Sequence, residues 1–159
     1  MAVPDFVVDL RRHVGHAPLW LPAVTAVIRR FEGSAEQILL IRRSDNKAWA
    51  PVTGIIEPGE QPAKAAQREA LEETGVQISV NRLASVVADT LTTHLNGDQV
   101  YYLDHTFDCS WIGGDPYPAD DESIDVAWVP AAELPQMDAV LRRRIDVVLS
   151  GQPQASFLD

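Results

Sequence analysis

The stretch that decides the fold runs Gly54-Ile55-Ile56-Glu57-Pro58-Gly59-Glu60-Gln61-Pro62-Ala63-Lys64-Ala65-Ala66-Gln67-Arg68-Glu69-Ala70-Leu71-Glu72-Glu73-Thr74-Gly75-Val76. Pro58-Gly59 is a turn signal, and Pro62 sits where the first turn of a helix tolerates proline. Ala63 to Thr74 contains only good or tolerable helix formers, and Gly75 follows as a stop. A helix here places Glu69, Glu72 and Glu73 at i, i+3 and i+4. Their Cβ atoms then share one face, about 5–6 Å apart. Three carboxylates so close repel one another, and hard divalent cations favour such oxygen ligands. Arg68, four residues before Glu72, is placed to pair with a carboxylate and orient it. Gly54 and Gly59 allow a tight loop at the start of the helix.

Outward from this stretch, the elements alternate between extended and helical patterns. Phe6 to His13 reads as a short helix. Leu19 to Arg30 is apolar and β-branched and reads as a strand. The turn Glu32-Gly33-Ser34 joins it to a short buried strand, Gln37 to Ile41, as an antiparallel neighbour. Trp49 to Ile56 is extended, with Pro51 inside it. Val76 to Val87 is a strand, and Asn96-Gly97 is a hairpin turn. In the next strand Tyr101, Leu103, His105, Phe107, Cys109 and Trp111 share one face, and Asp104, Thr106, Asp108 and Ser110 the other. That alternation predicts an apolar face toward a core. Ile124 to Val129 is a short strand, and Met137 to Leu149 a second long helix. The mixture predicts an α+β sheet with helices packed on it, in one domain spanning 1–159.

Composition bounds the function. The chain has 159 residues, 23 acidic side chains against 13 basic ones, and a formal net charge of −10. That balance argues against nucleic-acid and anionic-membrane partners. The longest apolar stretch, 17–28, is broken by Pro18 and Pro22 and is too short to span a bilayer. No basic-then-apolar leader opens the sequence, and Cys109 is its one cysteine, so a cytoplasmic location is expected. A phosphate-bearing substrate approaching so acidic a chain needs a local attractor, and a cation held by clustered carboxylates supplies one.

The 54–76 segment resembles the Nudix box. Gly54, Glu60, Arg68, Glu69, Glu72, Glu73 and Gly75 fill its invariant positions, and Ala70 and Val76 its aliphatic ones. At average residue frequencies a chance match is on the order of 10⁻⁹ per window. The resemblance implies the Nudix fold, an α/β/α sandwich with a mixed β-sheet, and hydrolysis of a diphosphate bond in a nucleoside di- or triphosphate derivative. It implies that Glu69, Glu72 and Glu73 bind Mg²⁺, with Mn²⁺ as a substitute. Arg68 would orient them, Glu60 would serve as a further ligand or a helix-side anchor, and Gly54 would let the loop approach. Thr53 departs from the double glycine that many members carry. Family members often place another carboxylate before a late strand. Glu122, in Asp120-Asp121-Glu122 ahead of Trp128, is the residue expected there.

Other residues carry less specific signals. Arg42 and Arg43 end a strand on opposite faces, so one of them can reach a phosphate, and Arg42 is taken as the substrate contact. Trp49, next to the box strand, is a candidate for stacking a base. His94 and His105 read as an exposed loop histidine and a satisfied core histidine, and Cys109 as buried and inert. Gly54 and Gly59 have the first spacing of a P-loop, but Glu60-Gln61 follows instead of Lys and a hydroxyl residue. Positions 91–93 are Leu91, Thr92 and Thr93, so the proline that marks many ADP-ribose hydrolases is absent, and no dinucleoside-polyphosphate or coenzyme A signature is visible. Two other functions fit the same fold. A nucleotide sensor usually loses box glutamates, and an isoprenoid diphosphate isomerase needs a catalytic cysteine in a motif that Cys109 lacks. The segment 1–18 reads as an N-terminal extension able to pack on a second copy in a homodimer.

Overall fold

The computed structural model describes residues 3–158. Helix α1 covers Asp5–Val14. Strands follow at Leu19–Glu32 (β1), Ala35–Arg43 (β2), Trp49–Ala50 (β3) and Val52–Ile55 (β4). Helix α2 covers Pro62–Thr74. Strands β5 (Gln77–Ala88), β6 (Thr92–Thr93), β7 (Gln99–Gly113) and β8 (Ser123–Pro130) come next, and α3 covers Ala139–Leu149. The eight strands form one mixed sheet. Its main path is β3-β2-β1-β7-β5, with β4 on β1, β6 on β7 and β8 on β2. β1 and β7 run parallel, and the other named strands pair antiparallel.

Helices cover both faces. On one face Ala65, Ala66 and Ala70 of α2 pack on Val24, Ala26, Ile28, Val52, Phe107 and Cys109. Small alanines bring the helix close to the strands, which is what a carboxylate helix needs if it is to reach the backbone beneath it. On the other face Ile145 and Val148 of α3 bury Val27, Ile38, Leu40 and Ala84. Val7 of α1 is buried with Leu21, Ile55 and Val100, so the N-terminal segment packs on its own sheet.

Two sequence expectations change, and the polar face of β7 gains a cover that its alternation did not specify. The run from Trp49 to Ile56 is two strands, because Pro51 has no N–H to continue a ladder. The terminal helix begins at Ala139, where the Asp138 side chain accepts from the N–H groups of Val140 and Leu141. The polar face of β7 is not a solvent face. Asp104, Thr106 and Asp108 are all buried, because α3 covers that side of a strand central in the sheet. Thr106 apart, they are satisfied by partners far away in sequence. Thr25 and Thr106 each donate to Asp104 at 2.7 Å, Arg144 of α3 lies 3.3 Å from it, and Arg29 donates twice to Asp108 at 2.9 Å.

Candidate active site

Helix α2 starts with Pro62 and ends at Gly75 in the left-handed region, φ 71°. A Cβ at Gly75 would also fall 2.3 Å from the ring of Tyr117, so the glycine both stops the helix and leaves room for the loop between β7 and β8. That loop returns over the end of α2: the Tyr117 and Ala119 N–H groups donate to the Thr74 and Glu73 carbonyls at 3.1 and 3.2 Å. The carboxylate face of α2 therefore lies between β4 on one side and the loop carrying Asp120 and Glu122 on the other.

Gly54 is the floor of the site. A Cβ there would sit 2.0 Å from Glu69 Cδ and 2.1 Å from its Oε1. Only a residue without a side chain lets Glu69 lie against the β4 backbone, and that is the physical meaning of the first box position.

Arg68 gathers the acids. It donates from Nε and Nη2 to the two oxygens of Glu60, each at 2.9 Å. It donates from Nη1 to Glu69 at 2.8 Å and Glu72 at 3.0 Å, and from Nη2 to the Ile55 carbonyl at 3.1 Å. A guanidinium fork with five donors can brace three carboxylates and the β4 backbone at once. Glu60 is thus the anchor of the two roles expected for it. Both its oxygens face Arg68, one also accepts the Glu57 N–H, and the Arg68 bonds hold its carboxyl below the usual range.

Glu69 and Glu73 are buried, 4% and 2% exposed, while Glu72 is exposed. Burial raises the proton affinity of both buried acids. It raises Glu69 in spite of Arg68, and pushes Glu73 up to about 8, with the negative charges of Glu69 and Asp120 adding to the effect. Among the described residues Glu73 Oε2 is buried without a hydrogen-bond partner. An orphaned carboxylate oxygen beside two more acidic side chains is a donor set suited to a hard divalent cation. As arranged here, no three His, Cys, Asp or Glu side chains among the described residues converge on one point. Arg68 holds Glu69 and Glu72 by hydrogen bonds, and no such bond reaches Glu73 Oε2.

The structure separates the flanking candidates. Of the two arginines ending β2, Arg43 rather than Arg42 bears on the carboxylates. Arg42 is exposed and donates to the Lys47 carbonyl at 3.1 Å, whereas the charge of Arg43 acts on Glu73. The bulge between them, where β2 meets β8, breaks simple alternation. Trp49 packs with Val27, Leu40 and Ile145 on the face opposite α2, in the role of a core aromatic. Among the late acids, the charge of Asp120 acts on Glu73, and its side chain accepts the N–H groups of Glu122 and Ser123. Glu122 is half-buried, and its carbonyl accepts the Ser44 N–H at 2.6 Å, tying this loop to the end of β2. Arg43 and Asp120 were visible in the sequence only as the neighbours of the residues preferred there. His94 bonds the Tyr102 hydroxyl at 3.0 Å, His105 the Ala23 carbonyl at 3.0 Å, and Cys109 is fully buried.

A NUDIX domain model matches residues 19–147, which is most of the chain, and the chain belongs to that family. A MutT-like protein of Streptomyces ambofaciens is 37% identical over 73 residues, covering 46% of each chain. A putative 8-oxo-dGTP diphosphatase of Bacillus subtilis is 31% identical over 110 residues, covering 69% of this chain and 68% of that one. A solved NUDIX hydrolase of Nitrosomonas europaea superposes with a TM-score of 0.69 at 25% identity, covering 84% of this chain and 90% of that one. The chain spans about half the length of the Streptomyces relative. The Nudix fold read from the box is therefore the fold observed. No helix among the described residues is long and apolar enough to cross a membrane.

Proposed function

We propose that this chain is a Mg²⁺-dependent Nudix hydrolase that cleaves a diphosphate bond in a nucleoside di- or triphosphate derivative by attack of water on phosphorus. The single observation that carries the reading is the pairing of Glu69, laid against Gly54, with Glu73, whose Oε2 is buried and unpartnered. The same helix carries Glu72, and one arginine braces Glu69 and Glu72. Glu69, Glu72 and Glu73 would hold the cation, and Glu122 or Asp120 would add a carboxylate from the opposite wall. A divalent cation held by these residues would supply neutralisation of developing charge and a lowered pKa for its bound water. Arg68 keeps Glu69 and Glu72 aimed from α2 toward the β4 backbone. Arg43 offers positive charge to the phosphates from the end of β2. A carboxylate oxygen of this set not taken by the cation would accept the proton of the attacking water.

Nucleoside triphosphates stand first among the substrates. The Bacillus relative is named for one, and the proline that marks ADP-ribose hydrolases is missing at 91–93. The test is release of nucleotide product, with pyrophosphate from normal and oxidised triphosphates, a sugar phosphate from ADP-ribose and nucleotide sugars, or a second nucleotide from dinucleoside polyphosphates. It is run with Mg²⁺, Mn²⁺ or chelator, beside Glu73→Gln. Metal-dependent turnover that collapses in the variant is expected. Nucleotide binding with no turnover anywhere in the panel would replace the hydrolase with a sensor.

A further inference from the structure

Arg43 ends β2 inside an unusually well-tied turn. Its N–H donates to the Ala48 carbonyl at 2.9 Å, and its carbonyl accepts the Lys47 N–H at 3.1 Å. The Asn46 side chain accepts the Ala48 N–H at 2.9 Å, Lys47 Nζ donates to the Ser44 carbonyl at 2.6 Å, and Lys47 takes φ 59°. Asp45 sits at the apex. Its Oδ1 accepts the Asn46 N–H at 2.7 Å, which holds the carboxylate in one orientation. Against that fixed carboxylate Arg43 lays one side of its guanidinium, Nε to Oδ1 at 3.0 Å and Nη2 to Oδ2 at 2.7 Å.

This side-on grip uses two of the five guanidinium hydrogens. Nη1 and the second Nη2 hydrogen form the other edge of the fork, and among the described residues that edge meets no acceptor. A fork with one edge fastened to a carboxylate and the other open matches the bidentate geometry that a phosphate requires. The other arginine of the site cannot serve, since Glu60, Glu69, Glu72 and the Ile55 carbonyl occupy Arg68. The turn is also fixed relative to the acidic loop, through the Ser44 N–H bond to the Glu122 carbonyl at 2.6 Å.

We propose that Asp45 is a positioning residue: it holds the guanidinium of Arg43 side-on so that its free edge meets a substrate phosphate next to the α2 carboxylates. The proposal rests on the hydrolase reading for the substrate, and on the turn geometry for the role. Asp45 touches no substrate itself. It lowers the ordering cost that a free, flexible arginine would meet on binding.

The test is a double-mutant cycle of Asp45→Asn and Arg43→Gln, with the best triphosphate of the panel at saturating metal. Asp45→Asn is expected to raise KM about 3–10-fold with kcat within about twofold, the size of the cost of ordering one flexible side chain on binding. Arg43→Gln raises KM further, and the double variant is no worse than Arg43→Gln alone, because Asp45 acts only through Arg43. A Asp45→Asn variant with unchanged KM overturns the proposal. So does a lowered KM, which would make Asp45 a competitor of the phosphates, and so does an additive double variant. The same four proteins are titrated calorimetrically with that triphosphate in the Glu73→Gln background. Weakened binding by Asp45→Asn without turnover in the parent chain would sink the hydrolase and keep the positioning role. Turnover with an indifferent Asp45→Asn does the reverse, and no binding by any of the four sinks both.

Discussion

At the residue scale the sharpest constraint is the contact between a missing side chain and an acid. Glu69 occupies the space that any Cβ at 54 would need. Gly54→Ala must therefore push the Glu69 carboxylate away from β4. The backbone of an extended strand accepts alanine readily, so the cost falls on the site more than on the fold. A displacement of about 1 Å at a reacting centre costs on the order of 10²-fold in rate. We expect kcat/KM to fall by about that factor while the melting temperature moves by a few degrees at most, and steady-state kinetics beside thermal denaturation checks both. A variant as active as the parent would show that Glu69 works from somewhere other than the β4 backbone. All of the box positions were legible in the sequence, but not this reason for Gly54. The pattern gives spacing along one chain segment, while the clash is between a helix and a strand that it crosses.

At the element scale, α3 and β7 show where pattern reading stops. Alternation in β7 is correct as a description of faces, yet it does not say what covers the polar one. The covering residue is Arg144, 119 positions from the Thr25 hydroxyl to which it donates at 3.0 Å. Arg144 also pairs with Asp89 and Asp104, and both the arginine and Asp104 are nearly fully buried. In the sequence it is one of three consecutive arginines on a helix, with no mark to separate it from Arg142, which pairs with Asp146 on the surface at 2.9 Å. The consequence is unequal. Arg144→Ala strands two carboxylates beneath α3, and breaking a buried pair in this way costs about 3–5 kcal/mol. Arg142→Ala loses an exposed i,i+4 pair worth about 0.3–0.5 kcal/mol. Urea denaturation of the two variants should differ by several kcal/mol, and equal midpoints would mean that Asp104 and Asp89 are not held by α3. The start of α3 reads two residues early in the sequence, because apolar character runs back past its cap to Met137. Asp138 caps α3 with its Oδ1, and Asp138→Ala should cost about 1 kcal/mol by the same measurement with kcat/KM unchanged.

At the scale of the whole molecule the buried acids set how stability responds to pH, in a sense opposite to that of most carboxylates. The usual case is a salt-bridged acid with a lowered pKa, as with Glu60 and Asp45 here, whose contribution is lost only on strong acidification. Glu73, Glu69 and Asp104 are raised by burial, and Glu73 reaches about 8. Between about pH 4.3, where a free glutamate titrates, and 8, the unfolded chain has released the Glu73 proton and the metal-free fold still binds it. The unfolded state then carries fewer protons, so stability falls as pH rises through that window and levels off above it. A cation among Glu69, Glu72 and Glu73 reverses this, because it binds the deprotonated fold and replaces the missing partner of Glu73 Oε2. Its stabilisation must therefore grow with pH. Urea unfolding at pH 5, 6, 7 and 8 in chelator should show midpoints declining with pH. Glu73→Gln should remove most of the decline above pH 6, and excess Mg²⁺ or Mn²⁺ should flatten the parent profile but not that of the variant. A flat parent profile in chelator would mean that Glu73 is ionised without a cation. A metal response retained by Glu73→Gln would place the cation elsewhere on this acidic chain.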